Sequence, residues 1–466
     1  MLNQSIFRSG LLVSALAFAF STPAQAANEN AYAQTNLVAN DAKYNPIALV
    51  DPYLVNPWGI ALRPPGAGGH IWTSNAGTGT TTTYIGDVYR STIGGIEIPL
   101  YQDGLKVIPI ITSERDLLDL QGSDGNSDQI AQVTGQVYNA SSDLPGQPVE
   151  FYVEGPALDF NSGQSVGVDA GSAKFIFVTQ DGTINAWRTK TNPGMVDAVV
   201  MKDYSMLQPG DDGWKDDWRT TPGFNGVAMT LDAAQPDANG NLVEDNRLYA
   251  ADFANGNIMV FDNQWNEITT EAMFQRPDDL GPNWMPFNVQ VLSDDRVYVA
   301  WTENAYEIDE PTEEIPGQGI GRVVAYDRDG NVLQDFTEHD LLNNPWGMVI
   351  APEGFGEFGG DLLVANFGDG TIVAYDVDSG ALKDYLRDAN GDAIVIDGIW
   401  GLTFGNGWSL GDADSLYFTA GPDEERDGIL GRLNVVAAPV PEPASYAMLL
   451  AGLGLVGAAA RGRRRR

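Results

Sequence analysis

Residues 56–62 read NPWGIAL, and almost the same phrase returns as NPWGMVI at residues 344–350. Looser copies lie at 133–139, 224–229, 286–291 and 399–404. The copies combine small, β-branched and aromatic residues, a composition that favours a buried strand. Six copies along one chain indicate a repeat architecture.

A second pattern follows each copy and consists of two apolar runs around a glycine-containing turn. Clear examples are KFIFVTQDGTINAW at 174–187 and DLLVANFGDGTIVAYD at 361–376. Asp-Gly between β-forming runs predicts a hairpin, and no long stretch shows the helical period. Six units of about four strands predict an all-β fold, a six-bladed β-propeller. We expect the first strand of each unit to lie nearest the central axis.

The units are longer than those of compact propellers, averaging about 68 residues against the usual ~40–50. The excess is assigned to three insertions, at about 88–132, 188–222 and 303–319. The last unit ends after its third strand, near Val436. The strand-like segment 33–39 (AQTNLVA) precedes the first unit, and we expect it to supply the missing outer strand and close the ring.

The N-terminus has the parts of a secretory signal peptide. Arg8 precedes an apolar run, and the small residues Ala24 and Ala26 form a cleavage site. We therefore predict a signal peptide over 1–26 and a propeller over 27–436. The alternative is an N-terminal membrane anchor, which the shortness of the apolar run disfavours.

The C-terminus combines three features in a fixed order. A linker over 437–443 ends in Pro441, Glu442 and Pro443, and the uncharged run 444–460 follows it. Seventeen residues are at the lower limit of the ~17–25 that span a bilayer. The arginines at the end act as a cytoplasmic membrane stop; they are Arg461, Arg463, Arg464, Arg465 and Arg466.

This order resembles the PEP-CTERM sorting signal of exported proteins in Gram-negative bacteria. The resemblance implies that residues 444–466 insert transiently in the membrane, and that an exosortase-type protease cleaves near the Pro-Glu-Pro motif. The body is then released to the cell surface or the extracellular matrix. An ordinary C-terminal anchor is the alternative.

The body also resembles a known group. LVNPWGIAL, QDGTINAW, LYAADF, ANFGDGTI and DGIWGLTFGNG are similar to phrases of an uncharacterised family of exported bacterial NHL-like propeller proteins, many of which carry this tail. The resemblance spans most of residues 30–434. It implies the fold and export, and it implies no reaction.

The negative net charge of the chain excludes anionic partners such as nucleic acid. The chain has a formal net charge of −37, and removing the two terminal signals takes away six basic and no acidic residues, which leaves −43. Such a surface repels nucleic acid and anionic lipid. It attracts divalent cations.

Catalytic side chains are few. The chain has no cysteine and two histidines, which excludes a cysteine nucleophile and disfavours a histidine-rich zinc or copper site. Asn75, Asp252 and Asn366 occupy equivalent positions, each after an apolar strand and before the turn. Their oxygens are suited to calcium, so they are candidate metal ligands. The alternative is that they bond the turn backbone.

Two functions remain open on these grounds. The first is a non-enzymatic surface or matrix protein that uses the propeller faces as a binding scaffold, with a polysaccharide or other surface ligand as its partner. The second is a calcium-dependent hydrolase or lactonase-like enzyme with its site at the propeller channel, which rests on analogy between folds.

Overall fold

The computed structural model of the protein describes residues 30–64, 68–90, 96–103, 107–110, 131–140, 148–159, 162–189, 194–205, 221–231, 235–236, 242–243, 245–305 and 313–436. These residues belong to one compact unit, Asn30–Val436. Three single-turn 3-10 helices are described within them: Ala42–Tyr44, Ala76–Thr78 and Gly356–Phe358. The predicted all-β fold is confirmed.

The strands of the first third are β1 (Tyr32–Ala39), β2 (Leu49–Val50), β3 (Pro57–Ala61), β4 (Ile71–Asn75), β5 (Thr80–Tyr84), β6 (Val88–Arg90), β7 (Ile96–Ile98), β8 (Val107–Pro109), β9 (Val133–Tyr138) and β10 (Tyr152–Asp159). Those of the middle third are β11 (Gln164–Ser172), β12 (Phe175–Thr179), β13 (Thr183–Trp187), β14 (Gly194–Met195), β15 (Val199–Asp203), β16 (Phe224–Met229), β17 (Gln235–Pro236), β18 (Leu242–Val243), β19 (Leu248–Asp252), β20 (Asn257–Phe261) and β21 (Trp284–Val291). The remaining strands are β22 (Val297–Glu303), β23 (Arg322–Tyr326), β24 (Val332–Phe336), β25 (Pro345–Ile350), β26 (Leu362–Asn366), β27 (Ile372–Tyr375), β28 (Leu382–Tyr385), β29 (Ile399–Phe404), β30 (Leu416–Ala420) and β31 (Ile429–Val435).

Each copy of the repeated phrase forms the first strand of a sheet whose strands pair antiparallel, except for the parallel pair β1–β2. In chain order the sheets are β3-β4-β5-β8, β9-β12-β13-β15, β16-β19-β20, β21-β22-β23-β24, β25-β26-β27-β28 and β29-β30-β31-β1-β2. We number them sheets 1 to 6. The turns follow the predicted chemistry: Gly370, between β26 and β27, has φ +78, a conformation that glycine adopts without strain.

The first strands pack against one another in sequence order. β3 contacts β9, β9 contacts β16, β16 contacts β21, β21 contacts β25, β25 contacts β29, and β29 contacts β3. Glycine makes this approach possible, since a β-carbon at Gly135 would lie 2.6 Å from Val227 N and one at Gly401 would lie 2.7 Å from Trp58 O. Sheet 4 has Asn288 instead, whose Nδ2 donates to Trp346 O at 2.7 Å.

Two features beyond the common strand pattern are notable, the strand β1 and the hairpin β10–β11. β1 pairs antiparallel with β31, from Tyr32 opposite Val435 to Ala39 opposite Ile429. The N-terminal segment therefore lies at the outer edge of sheet 6. The long hairpin β10–β11 was not predicted from the sequence. In the chain it lies between β9 and β12, the first and second strands of sheet 2, and it forms a separate sheet with β14.

Candidate functional site at the start of the first strands

The candidate ligands from the sequence lie at one end of their sheets. Asn75 pairs with Pro57, Asp252 with Phe224, and Asn366 with Pro345. First strands start and second strands finish at this end, which we call the first-strand end.

The two candidate asparagines are buried and bonded within their own sheets. Asn75 Oδ1 accepts from Thr73 Oγ1 at 3.1 Å, and its Nδ2 donates to Thr82 Oγ1 at 3.1 Å. Asn366 Oδ1 accepts from Asn343 N at 3.0 Å. These bonds are of the kind that asparagine makes in turns and strand ends.

Asp252 is buried as well. Its Oδ1 accepts from the backbone N–H groups of Gly223 and Asn255, both at 3.1 Å, and its Oδ2 accepts from Asn255 Nδ2 at 2.8 Å. Nowhere in the described ranges do three or more His, Cys, Asp or Glu side chains gather closely enough to hold a metal ion. A calcium ion held by Asn75, Asp252 and Asn366 would have to replace these hydrogen bonds, and the site stays a prediction.

The asparagine that opens the NPWG phrase connects neighbouring sheets. Asn56 and Asn344 have φ of +45 and +50, a left-handed conformation that asparagine tolerates better than most residues. Asn56 Oδ1 accepts from Trp400 Nε1 at 3.1 Å, while its Nδ2 donates to Glu425 Oε2 at 2.5 Å. Asn344 Nδ2 donates to Ile315 O at 3.1 Å.

The tryptophans of the phrases form a cluster between the sheets. Trp58 stacks on Trp400 with ring centroids 3.6 Å apart, and Trp346 stands edge-on to both. Phe367 stacks on the Trp400 ring at 3.9 Å, and Trp346 Nε1 donates to Asn225 O of sheet 3 at 3.0 Å. Offset and edge-on ring pairs of this kind are each worth about 0.5–1.5 kcal/mol beyond the area they bury.

This aromatic cluster leaves little room along the first strands. A cavity bordered by the first strands of all six sheets has a volume of about 20 Å³, close to the minimum that one water molecule needs. Its lining residues are Gly59, Ile60, Gly135, Gln136, Val227, Asn288, Gln290, Trp346, Gly401 and Leu402. A substrate in the middle of the first strands would therefore require rearrangement of the tryptophans.

Carboxyl groups gather beside this cluster. Burial raises the pKa of Glu314 to about 8, and the charges of Glu313 and Glu425 act in the same direction. Burial also raises the pKa of Glu425 to about 7, opposed by the hydrogen bond from Asn56 and supported by Glu313. Groups that titrate near neutral pH are suited to proton transfer.

The backbone that presents Glu425 is unusual. Asp423, Glu424 and Glu425 have φ of +61, +56 and +62, so three consecutive residues other than glycine adopt the left-handed conformation. Each such residue costs on the order of 1–2 kcal/mol. Such strain is found at functional sites more often than elsewhere.

Reasoning from the sequence did not identify this carboxyl group cluster. Glu313 and Glu314 follow β22, whereas Glu425 lies in the turn between β30 and β31. They belong to different repeats and occupy no equivalent positions. Two acidic pairs in loops, Glu313-Glu314 and Glu424-Glu425, are the only signal, and a loop acid is most often a solvated one.

The predicted terminal signals, including Ala24, Ala26 and the C-terminal arginines, lie outside the described residues. Among the residues that the structure describes, no helix has the length and apolar character needed to cross a membrane. Residues 439–465 match the PEP-CTERM protein-sorting motif, which includes Pro441, Glu442 and Pro443. The predicted sorting motif is thereby supported.

Two relatives of this chain are described only as uncharacterized proteins. The chain is 27% identical over 401 residues to uncharacterized protein R648 of Acanthamoeba polyphaga mimivirus, covering 85% of this chain and 78% of that protein. It is 33% identical over 201 residues to uncharacterized protein L690 of the same virus, covering 42% of this chain and 50% of the relative. The NHL-like resemblance stays a prediction.

Solved structures of similar shape include a glucose dehydrogenase, with a TM-score of 0.41 and 11% identity over 83% of this chain and 98% of that one. A luciferin-regenerating enzyme gives 0.34 and 13% over 83% and 93%. Likeness at this level carries no conclusion about activity. The C-terminal match, in contrast, implies processing by exosortase-type machinery and supports export of the protein to the cell surface.

Proposed function

We propose that the protein is an exported, exosortase-sorted β-propeller that acts as a binding or scaffold protein at the cell surface or in the extracellular matrix. The observation that carries the proposal is the PEP-CTERM match at 439–465. The acidic composition supports it, since a net charge of −37 keeps an exported protein soluble.

The proposal includes six blades and a closed ring. Its support is the pairing of β1 with β31 and the order in which the first strands contact one another, ending with β29 against β3. Closing a ring with strands from both chain ends joins the termini and removes exposed sheet edges.

The packing between the first strands favours a scaffold over an enzyme with a central site. The cavity there holds about 20 Å³, whereas ligand pockets usually measure about 300–1,000 Å³. Binding would then use the outer surfaces and the loops.

The test of this proposal has two parts, which determine where the protein is found and which ligand it binds. Native cells are fractionated, and the protein is followed by antibody; we expect it at the cell surface or in the extracellular fraction. The isolated protein is then screened against a polysaccharide array. Recovery in the cytoplasm contradicts the proposed location, and an array without a single binder removes the proposed carbohydrate ligand.

A calcium-dependent hydrolase or lactonase-like enzyme is the second candidate. The raised pKa values of Glu314 and Glu425 favour it, because such groups serve as general acids or bases. Titration calorimetry with calcium, followed by a lactone hydrolysis assay with and without chelator, separates the two candidates. Absence of both binding heat and turnover eliminates the enzyme.

A further inference from the structure

Among the residues that the structure describes, sheet 3 has three strands, whereas its neighbours have a fourth. In the other five sheets, the third strand (β5, β13, β23, β27 or β31) pairs with a further strand on its outer side. β20 is the third strand of sheet 3. Among the described residues its outer side is joined only by an isolated bridge between Phe261 and Glu267.

The residues after β20 form the first hydrogen bonds of a fourth strand and then turn away from the sheet. Ile268 N donates to Val260 O at 2.8 Å, and Val260 N donates to Thr269 Oγ1 at 2.9 Å. The next residues turn away, because Phe274 packs on the Tyr249 ring and its N–H donates to Gly330 O of sheet 4 at 3.0 Å. In the part of the chain that the structure describes, no strand pairs with the outer side of the first half of β20, where Ile258 is 2% exposed.

This half of β20 carries unused backbone groups. In an antiparallel ladder, alternate residues direct their N–H and C=O groups to the same side. Val260 directs both outward, so Ile258, two residues earlier, does the same. Within the described chain, no partner is found for these groups of Ile258 on the outer side.

A cavity of about 550 Å³ lies against this part of β20. We call it the β20 groove. Its lining residues are Gly256, Asn257, Ile258, Glu267, Thr269, Thr270, Glu271, Met273, Phe274, Gln275, Arg276, Pro277, Asp278 and Leu280. The volume is within the range of peptide-sized and ligand-sized sites. The groove therefore combines a stretch of β20 that has no strand partner with space beside it.

The charged side chains that line the groove indicate which kind of partner it can bind. Glu267, Glu271 and Asp278 line it against a single guanidinium, that of Arg276. Three carboxylates against one guanidinium leave the groove acidic as a whole, and the guanidinium is held by the carbonyls of Pro282 and Trp284. A second copy of a chain with net charge −37 is a poor occupant for it.

We propose that the β20 groove binds an extended basic peptide segment of a partner protein, which adds to β20 as the fourth strand of sheet 3. Main-chain hydrogen bonds to Ile258 supply affinity, as in other complexes formed by strand addition. Lysine or arginine side chains of the peptide lie against Glu271 and Asp278 and supply selectivity. The inference rests on the proposed binding function and gives it a site and a class of partner.

The test uses the intact protein and two fluorescein-labelled peptides, one of alternating lysine and valine and one with glutamate in place of lysine. We expect the lysine peptide to bind and the glutamate peptide not to bind. The double variant Glu271→Lys, Asp278→Lys weakens binding by about tenfold or more, because two attractions become repulsions. Thr270→Trp, which fills the groove without changing its charge, weakens binding too.

Glu357→Lys is the matched control, since Glu357 is an exposed acid of a 3-10 helix beyond sheet 3; it should leave affinity nearly unchanged. Hydrogen exchange should slow at Ile258 when the lysine peptide is bound. Absence of binding, equal binding of both peptides, or binding with no protection at Ile258 would each overturn the proposal. Cell fractionation and the polysaccharide array are unaffected by that failure, so the proposed function is judged separately.

Discussion

At the residue scale, single glycines set how closely neighbouring first strands approach. Gly135 of β9 faces the backbone of β16, where an added β-carbon would lie 2.6 Å from Val227 N and 2.8 Å from Gly226 Cα. Backbone atoms cannot swing aside as a flexible side chain does. The sequence pattern predicted small residues at this place, and the structure supplies the reason.

Gly135→Ala should therefore destabilise the protein by about 1–3 kcal/mol, the usual cost of overpacking. The measurement is the free energy of unfolding in urea. Gly68→Ala is the control, because nothing lies within 4 Å of the position of its added β-carbon. Equal stability of the two variants would mean that sheets 2 and 3 separate without cost.

Glu314 gives the second prediction at this scale. Its pKa is raised from 4.5 to about 8, so between these values the folded protein holds a proton that the unfolded chain releases. Stability from this group is fully present below pH 4.5 and is lost as pH rises toward 8. Glu313 and Glu425 face it and add to the effect.

Glu314→Gln removes the ionisation and should stabilise the protein at pH 8 by about 2 kcal/mol, a value discounted for partial exposure. At pH 4.5 the variant and the parent protein should differ little. Thermal unfolding at both pH values provides the comparison, and Glu357→Gln is the control. A gain of equal size at both pH values would show that ionisation is not the cause.

At the element scale, local sequence patterns predicted the strands of the repeated units. They did not predict the elements added to those units. The phrase NPWGIAL predicted β3, and hairpins around Asp-Gly predicted β12–β13 and β26–β27. The hairpin β10–β11 was missed because it belongs to no repeat, and its second strand, QSVGVDAGS, is exposed along most of its length. The carboxyl group cluster was missed because Glu314 and Glu425 meet only in three dimensions.

β1 supports a prediction about closure. Tyr32, Leu37 and Val38 are almost wholly buried, and burying each such side chain is worth about 1.5–3 kcal/mol. Asn30 also bonds the backbone of Tyr385 and Arg387 in and after β28. Tyr32 N donates to Arg387 O at 2.8 Å as well, so the segment 30–39 joins sheets 5 and 6.

A protein that begins at residue 40 should lose its cooperative thermal transition, whereas one that begins at residue 30 should keep it. A synthetic peptide of residues 30–39, added in excess to the shortened protein, should restore the transition, since it can pair with β31. Retention of the parent melting temperature without residues 30–39 would refute the closing role of β1.

At the scale of the whole molecule, the two ends have separate tasks. Residues 30–39 belong to the folded unit through β31, and residues 439–465 match a sorting motif. The body between them is strongly acidic, and five arginines stand at the extreme C-terminus. The expectation that the arginines stay in the cytoplasm while the acidic body is exported follows from the positive-inside rule, and the transient membrane stop stays a prediction.

We therefore expect the mature protein in its native cells to lack residues 450–466. Intact-mass measurement of the isolated protein, with sequencing of its C-terminal peptide, should place the new end near Pro441–Pro443, and the N-terminal peptide should begin at Ala27. Replacing Pro441, Glu442 and Pro443 by alanine should leave the tail attached and hold the protein in the inner-membrane fraction, because the protease no longer has its motif. Ala437→Ser, which lies before the matched residues, should be processed normally. A mature protein that still contains residues 450–466 would show that the tail is a permanent anchor, and the proposed release to the surface would then fail.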